Sequence, residues 1–549
     1  MTNSAVATRV AGAAALIAVL TVASRLAGVG RTAVFAWSVG PTALGDIYIA
    51  ANTIPNIIFE IVAGGALASL VVPLLAGAVA AGDRTAVSAT TSALLTWTLG
   101  LLIPLAVLLA FAAGPIVRLL DADAGPAQID AGTLMLRLFA PQLPLYGIAV
   151  VLTGVLQAHH RFAWPVIAPL LSSVTVIGTY LTFAATQGRL ADLPGVGTSG
   201  QLLLAAGTTG GVAVLSLCLF VPLRPLGLRL RPGLRFVGAA RDAVGGLAAA
   251  GAVTVGAQQV AVLVAVWLCF AGGAPQGSVV LFTLAQTVFL LPWSVLAVPL
   301  ATAAYPTLAA AHSHGDIAGY RSNLGPAVRG VVLLCCLGAA VLVSVSVPAA
   351  AFLVPAGQAG TLAAGIAGFA PGLIGYGMFA IGSRALYAAS RPAPAAAAVA
   401  AGWSCVMVAA PVLSLVLPDR DRVFALALAN ALGMLVMGLL LVAALRRVGG
   451  GAVLTGLGRA TATGLAAGVV AAAAGAGVAY LTGPGPTTPT VPGVLLQGML
   501  SGATGLAVFL AVALPADRHD LRPMVVGAVR RTWRLAAGRR RDGKGTESR

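Results

Sequence analysis

The chain is poor in charge. Its 549 residues include only 32 Lys and Arg and 15 Asp and Glu, 9% of the total. A soluble domain needs about a quarter of its residues charged to cover its surface. With 59% hydrophobic residues and a mean hydropathy of +0.98, a single cytosolic or secreted catalytic domain is excluded. The sequence pI of 11.0 does not mark a nucleic-acid binder, because the excess charge is local. Residues 518–549 hold ten Lys/Arg against three Asp/Glu, +7 of the net +17. Cysteine is scarce and odd in number. Cys218, Cys269, Cys335, Cys336 and Cys405 all lie in apolar stretches, with no disulfide framework or metal-ligand spacing. No nucleotide-binding loop is present, and no cofactor is expected. The apolar N-terminal run continues into Arg25 and Arg31 without a cleavage region, so no signal peptide is read there.

What is abundant is uninterrupted apolar sequence. Residues 85–117, 138–160, 162–188, 193–223, 392–418 and 423–445 contain no Asp, Glu, Lys or Arg, and each suits one spanning helix. Such a helix needs about 20 apolar residues. Residues 243–315, 330–383 and 460–516 are each long enough for two, and 10–38 and 47–80 add one apiece. The expected fold is an all-α polytopic membrane protein of about 14 transmembrane helices. The even-numbered loops and the termini then carry Arg9, Arg84, Arg161, Arg224, Arg229, Arg231, Arg235, Arg241, Arg321, Arg391, Arg446, Arg447, Arg459 and the basic tail. The opposite loops carry Arg118, Arg137, Arg189, Arg420 and Arg422 with most of the loop acids. This asymmetry places both termini in the cytoplasm of a plasma-membrane protein.

The chain also repeats itself. FAPQLPLYG (139–147) with AHHR (158–161) recurs as FAPGLIGYG (369–377) with AASR (388–391), at one offset of 230. LASLVVPLLAGAVAAGD (67–83) resembles LATAAYPTLAAAHSHGD (300–316) at 233. The second copy starts six helices after the first, so the halves read as two parallel six-helix repeats plus two C-terminal helices. Parallel repeats build transporters that rock two bundles around a central cavity. The expected organisation is an N-lobe (1–223, helices 1–6), an Arg-rich cytoplasmic loop (224–241), a C-lobe (242–447, helices 7–12), helices 13–14 (448–515) and a basic cytoplasmic tail (516–549). The tail is suited to anionic membrane lipids.

Charges within spans cost roughly 2.5–3.5 kcal/mol each and point to function. Arg25 and Arg31 flank Gly28 and Gly30 near one end of helix 1. Six residues turn the helix by about 600°, so the two side chains point about 120° apart. They can line one broad cavity or snorkel to headgroups. In helix 2, Asp46 and Glu60 bracket Asn52-Thr53-Ile54-Pro55-Asn56, an unusual polar run. Pro55 removes a backbone bond, and Asn52 and Asn56 can repair it, bond to a neighbouring helix or hold a ligand. Gly28, Gly30, Pro55, Gly64 and Gly65 are the candidate hinge or kink positions. Asp121-Ala-Asp123 has a metal–nucleotide DxD form, but its loop is too short for a nucleotide domain. His159-His160, His312 and His314 read as loop polarity, and Gln258, Gln259 and Gln286 face a cavity or a neighbouring helix.

Residues 24–75, SRLAGVGRTAVFAWSVGPTALGDIYIAANTIPNIIFEIVAGGALASLVVPLL, resemble the N-terminal signature of the MviN/MurJ family of lipid II flippases. Residues 140–171 and 291–316 resemble its helix 4–5 and helix 8 segments, and the likeness runs through about 10–450 in order. That family belongs to the multidrug/oligosaccharidyl-lipid/polysaccharide exporter superfamily. The form NTIPNIIFE…GG resembles its actinobacterial branch. The resemblance implies a transporter, not an enzyme, that carries undecaprenyl-pyrophosphate-linked peptidoglycan precursor to the outer leaflet in cell-wall biosynthesis. Helices 13–14 would form a groove for the lipid tail. Arg25 and Arg31 match the family's two helix 1 arginines around the pyrophosphate, Asp46 its helix 2 acid, and Pro55-Asn56 its Pro-Asn. The chain departs from the family at Thr32 (usually Asp), Phe59-Glu60 (an Arg pair), Gly64 (Glu) and Gln286-Thr287 (Asp-Arg). Two alternatives stay open: export of another polyprenyl-linked glycan or a drug, and a degenerate homologue that scaffolds cell-wall synthesis or division proteins.

Overall fold

The computed structural model describes residues 3–61, 68–233, 255–483, 490–517 and 520–521. Gly64, Gly65, the 234–241 part of the Arg-rich loop and the tail from 522 onward lie outside the described residues. Nineteen α-helices run through the described chain, with no strand among those residues. They are α1 (Asn3–Ser38), α2 (Ala43–Phe59), α3 (Ala68–Ala80), α4 (Arg84–Phe111), α5 (Ala113–Leu120), α6 (Pro126–Phe139), α7 (Gln142–Ala158), α8 (Ala163–Gln187) and α9 (Thr198–Leu217). After them come α10 (Val255–Leu268), α11 (Ser278–Pro292), α12 (Val298–Ser313), α13 (Ile317–Leu353), α14 (Ala356–Phe369) and α15 (Gly372–Ala388). The last are α16 (Pro392–Val416), α17 (Arg422–Gly449), α18 (Leu457–Leu481) and α19 (Val491–Ala516).

Eleven helices among the described residues are long and apolar enough to cross a membrane, or twelve if the bent pair α14–α15 is one span. The count of about 14 is therefore not reached within them. The two other expected spans run across residues outside the description: α2 and α3 flank 62–67, and the 14 residues of α10 follow 234–254. The breaks follow local chemistry. Thr42 caps α2 by accepting from Gly45 N, and Asp83 caps α4 by accepting from Thr85 and Ala86 N.

Contacts divide the chain into two compact units. One is Met1–Leu284 with Leu353–Thr361 and Ala410–Leu426; the other is Ala285–Phe352 with Leu362–Ala409 and Ala427–Arg549. The first has a core of Val71 and Leu75 on α3, Val87 and Leu94 on α4, and Leu152, Val155 and Leu156 on α7. In the second, α15 and α17 meet where Gly375 lies against the Met434 backbone and Gly438 against Gly375. Lipid tails are as apolar as leucine, so association in a membrane depends on such close approach.

The sequence repeat is reproduced in the backbone. Helices α7 and α15 start and end 230 residues apart, each preceded by a proline, Pro141 and Pro371. After each helix a non-glycine residue takes a left-handed conformation, His160 at φ 57° and Ser390 at φ 55°. The next N–H, of Arg161 or Arg391, donates to Leu156 O or Leu386 O at 2.8 Å. At the other offset, Gly82 and Gly315 both have φ 69°.

Candidate functional site

α1 runs unbroken through Arg25, Gly28, Gly30 and Arg31. Both arginines are exposed, and none of the salt bridges among the described residues engages them. A Cβ added to Gly28 or Gly30 would meet nothing within 4 Å, so this stretch of α1 borders open space. One turn beyond Arg31, Phe35 is buried against Tyr48 of α2 and Tyr180 of α8, with ring centroids 5.5 and 5.3 Å away. The Tyr48 hydroxyl bonds to Tyr180 Oη at 2.8 Å and to Thr208 Oγ1 at 2.6 Å. This network fixes the first half of α2 against α1, α8 and α9.

α2 continues through Pro55 to Phe59. Asn52, Asn56 and Glu60 follow one another at four-residue spacing and so share one stripe of the helix. Asn52 and Asn56 are half-buried and Glu60 is exposed. Asn52 Oδ1 is buried with no hydrogen-bond partner among the described residues. An orphaned buried acceptor costs about 1–3 kcal/mol, which marks it as a group awaiting a donor. Thr53 is occupied locally, donating to Ile49 O at 2.8 Å. Glu60 and Ile61 are π-helical, and so is Trp293–Ala297 at the 233-residue offset. π-Bulges recur at functional sites because they re-aim side chains. Each one sits beside the repeated tyrosine. Phe59 stacks on Tyr146 at 4.5 Å, and Trp293 lies 4.7 Å from Tyr376 while donating from Nε1 to its carbonyl at 3.1 Å.

Asp46 is placed differently from the arginines. It is 4% exposed, and its carboxylate caps the start of α11: Oδ2 accepts from Gly277 N at 2.6 Å and Oδ1 from Val280 N at 3.0 Å. None of the salt bridges among the described residues joins Asp46 to Arg25 or Arg31. Both oxygens already satisfy free N–H groups at a helix N-terminus, where the dipole also favours negative charge. Sequence reasoning missed this role, although Gly277-Ser278 before an apolar run marks a helix start that needs a cap.

Asp121 joins Asp46, Asp192 and Gln276 around a separate cavity of about 500 Å³. Burial and the neighbouring Asp123 charge raise the Asp121 carboxyl above its ordinary range. Asp192 accepts from Ala43 N and Gln276 Nε2. His159 and His314 sit against the carbonyls of Val155 and Ala310, four residues back on their own helices. No group of three or more His, Cys, Asp or Glu among the described residues is placed to hold a metal. Gln286 is half-buried on α11.

Repeated helical halves, π-bulged helices and unpaired arginines along an open helix face define a multi-pass α-helical membrane protein. The fold is shared with a solved inward-facing MATE family multidrug transporter of the MOP superfamily (TM-score 0.55, 15% identity, 81% of this chain and 94% of that one). It is shared more fully with a structure titled lipid II flippase MurJ, inward closed conformation (TM-score 0.70, 17% identity, 90% and 99%). The family model described as lipid II flippase MurJ matches residues 35–498, and the chain belongs to that family. A probable lipid II flippase MurJ of Rhizobium meliloti is 28% identical over 345 residues, 62% of each chain. The matched stretches cover less than two thirds of the length of such curated relatives.

Proposed function

We propose that this protein moves lipid II from the inner to the outer leaflet of the plasma membrane by alternating access. The observation that carries the reading is the family match over 35–498, which includes Phe35 of α1 and the α2 positions built above. Arg25 and Arg31 precede that range on the same continuous helix, α1, that carries its first residues. The two guanidiniums would bind the pyrophosphate through charge-assisted hydrogen bonds, which strengthen as the local dielectric falls. Asn52, Asn56 and Glu60 offer one polar stripe to the sugars and peptide. Asp46 acts through the helix it caps. Exposed apolar side chains on α18 and α19, among them Val469, Leu496 and Met499, are suited to a polyprenyl tail. Both termini are cytoplasmic, and the tail holds anionic lipid.

Depletion of the protein in its native host tests this. A reagent that labels or cleaves lipid II from outside intact cells reports the outer-leaflet pool. The accessible fraction should collapse while total lipid II rises. Wild type should restore it, and the Arg25→Ala/Arg31→Ala variant should restore less than a tenth of it. Unchanged accessibility on depletion would assign flipping to another protein and favour the scaffold or alternative-cargo reading.

A further inference from the structure

After Leu226 the chain turns at Gly227 and runs extended along α4. The backbone N–H groups of Arg229, Arg231 and Gly233 donate to Ser88 Oγ, Ser92 Oγ and Thr96 Oγ1 at 3.3, 3.1 and 3.1 Å. The fit is one of pitch. Four helical residues rise about 6 Å, and two extended residues rise about 6.6 Å. Every second N–H of the strap therefore meets every fourth side chain of the helix. Thr96 Oγ1 also donates to Ser92 O at 2.7 Å, so this hydroxyl both gives and accepts. Irregular backbone beside a spanning helix is tolerated only where protein or water satisfies it. Here the Ser88–Ser92–Thr96 stripe does so.

Period-two alternation then sorts the strap's side chains. Leu226 and Leu228 pack on the core of Val71, Leu75, Val87 and Leu94. Arg229 and Arg231 instead line a groove of about 1120 Å³ together with Arg84 and the hydroxyl stripe. Among the described residues no carboxylate lines it, and the three guanidiniums enter none of their ion pairs. Asp83, beside Arg84, has its Oδ1 engaged by Thr85 and Ala86 N–H. Three arginines carried on a hydrogen-bonded strap and the start of α4, with no carboxylate beside them among the described residues, form an uncompensated anion site.

We propose that this groove binds a phosphate-bearing lipid headgroup, held by Arg84, Arg229 and Arg231. Guanidinium–phosphate pairs are bidentate and favour this chemistry over a simple carboxylate. Two sources share it: the pyrophosphate of a polyprenyl-linked cargo and the phosphodiester of bulk anionic phospholipid. The first rests on the flippase reading, the second does not.

Binding is measured on the full chain in phosphatidylcholine nanodiscs, in an Arg25→Ala/Arg31→Ala background so that the cargo site proposed above does not contribute. The probes are farnesyl pyrophosphate and, separately, incorporated phosphatidylglycerol. At least one probe should bind, and adding Arg84→Ala, Arg229→Ala and Arg231→Ala should weaken it tenfold or more. Arg420→Ala, at an exposed arginine elsewhere in the same unit, should change it less than twofold. Binding of the pyrophosphate alone assigns the groove to cargo, and equal binding of phosphatidylglycerol assigns it to bulk lipid; both support the site. If neither probe binds, or the triple substitution leaves affinity unchanged, the proposal is overturned. Should the triple variant unfold, Arg231→Glu replaces it, because its backbone N–H still reaches Ser92. A fivefold loss then supports the site and unchanged affinity overturns it. Lipid II accessibility in cells is read independently, so failure of this site and failure of the flippase reading are distinguishable.

Discussion

Asp46 shows how one carboxylate changes meaning when its surroundings are known. Beside an apolar span it reads as a candidate functional acid, but in the fold it caps the start of α11 with both oxygens. Asp46→Asn keeps one acceptor and turns an NH₂ toward the Gly277 or Val280 donor. Thermal unfolding in detergent should show a loss of about 1–3 kcal/mol, and Asp46→Glu should recover little because the longer stem displaces the carboxylate. The arginines were legible for a different reason. A charge in an apolar helix is costly wherever it sits, so its presence alone is informative. Asn52 lies between these cases: its polarity is visible in sequence, but the orphaned state of its Oδ1 exists only once helices surround it.

Elements in this protein meet through small residues. A Cβ on Gly375 of α15 would collide with the Met434 backbone of α17, and one on Gly402 of α16 would meet the side chain of Met437 and the carbonyl of Gly433. Backbone cannot yield as a flexible side chain does. Gly375→Leu should therefore cost more than the 1–3 kcal/mol typical of overpacking, read as loss of a monodisperse peak on size exclusion. Leu439→Ala, at an exposed residue of α17, should be nearly silent. The repeat made α7 and α15 recognisable before any coordinates, since prolines and a buried phenylalanine recur at one spacing. The π segments at Glu60–Ile61 and Trp293–Ala297 were not, because a single added residue per turn leaves no mark on hydropathy.

For the whole molecule, the C-terminal region divides into an anchored and a basic part. Arg329 of α13 binds Asp520 through two bonds of 2.8 Å, while Arg459 at the start of α18 approaches Asp517 and Asp520 at 4.0 and 3.7 Å. Asp517 and Asp520 are buried. Removing one partner of such a pair strands the other and costs about 3–5 kcal/mol. Truncation after Leu521 should preserve the thermal transition and the recovery of lipid II accessibility, with weaker binding to phosphatidylglycerol vesicles. Asp520→Ala in the full chain should lower the transition. A tail drawn from charge alone begins at 516 and would have cut through this anchor.

Composition and pattern by themselves determined that the chain is a membrane protein, that it is helical, that it is built from two related halves and that helix 1 carries charge within an apolar run. These follow from terms that act on residue type alone: the cost of moving charge and unpaired backbone into lipid, and the recurrence of a spacing. The tertiary structure decided that Asp46 holds a helix start, that Asp520 anchors α13, and that Arg229 and Arg231 lie over a serine–threonine stripe 137–141 residues away. Hydrogen bonds and ion pairs need angstrom-scale approach of groups distant in sequence. Only packing of the helices sets that distance.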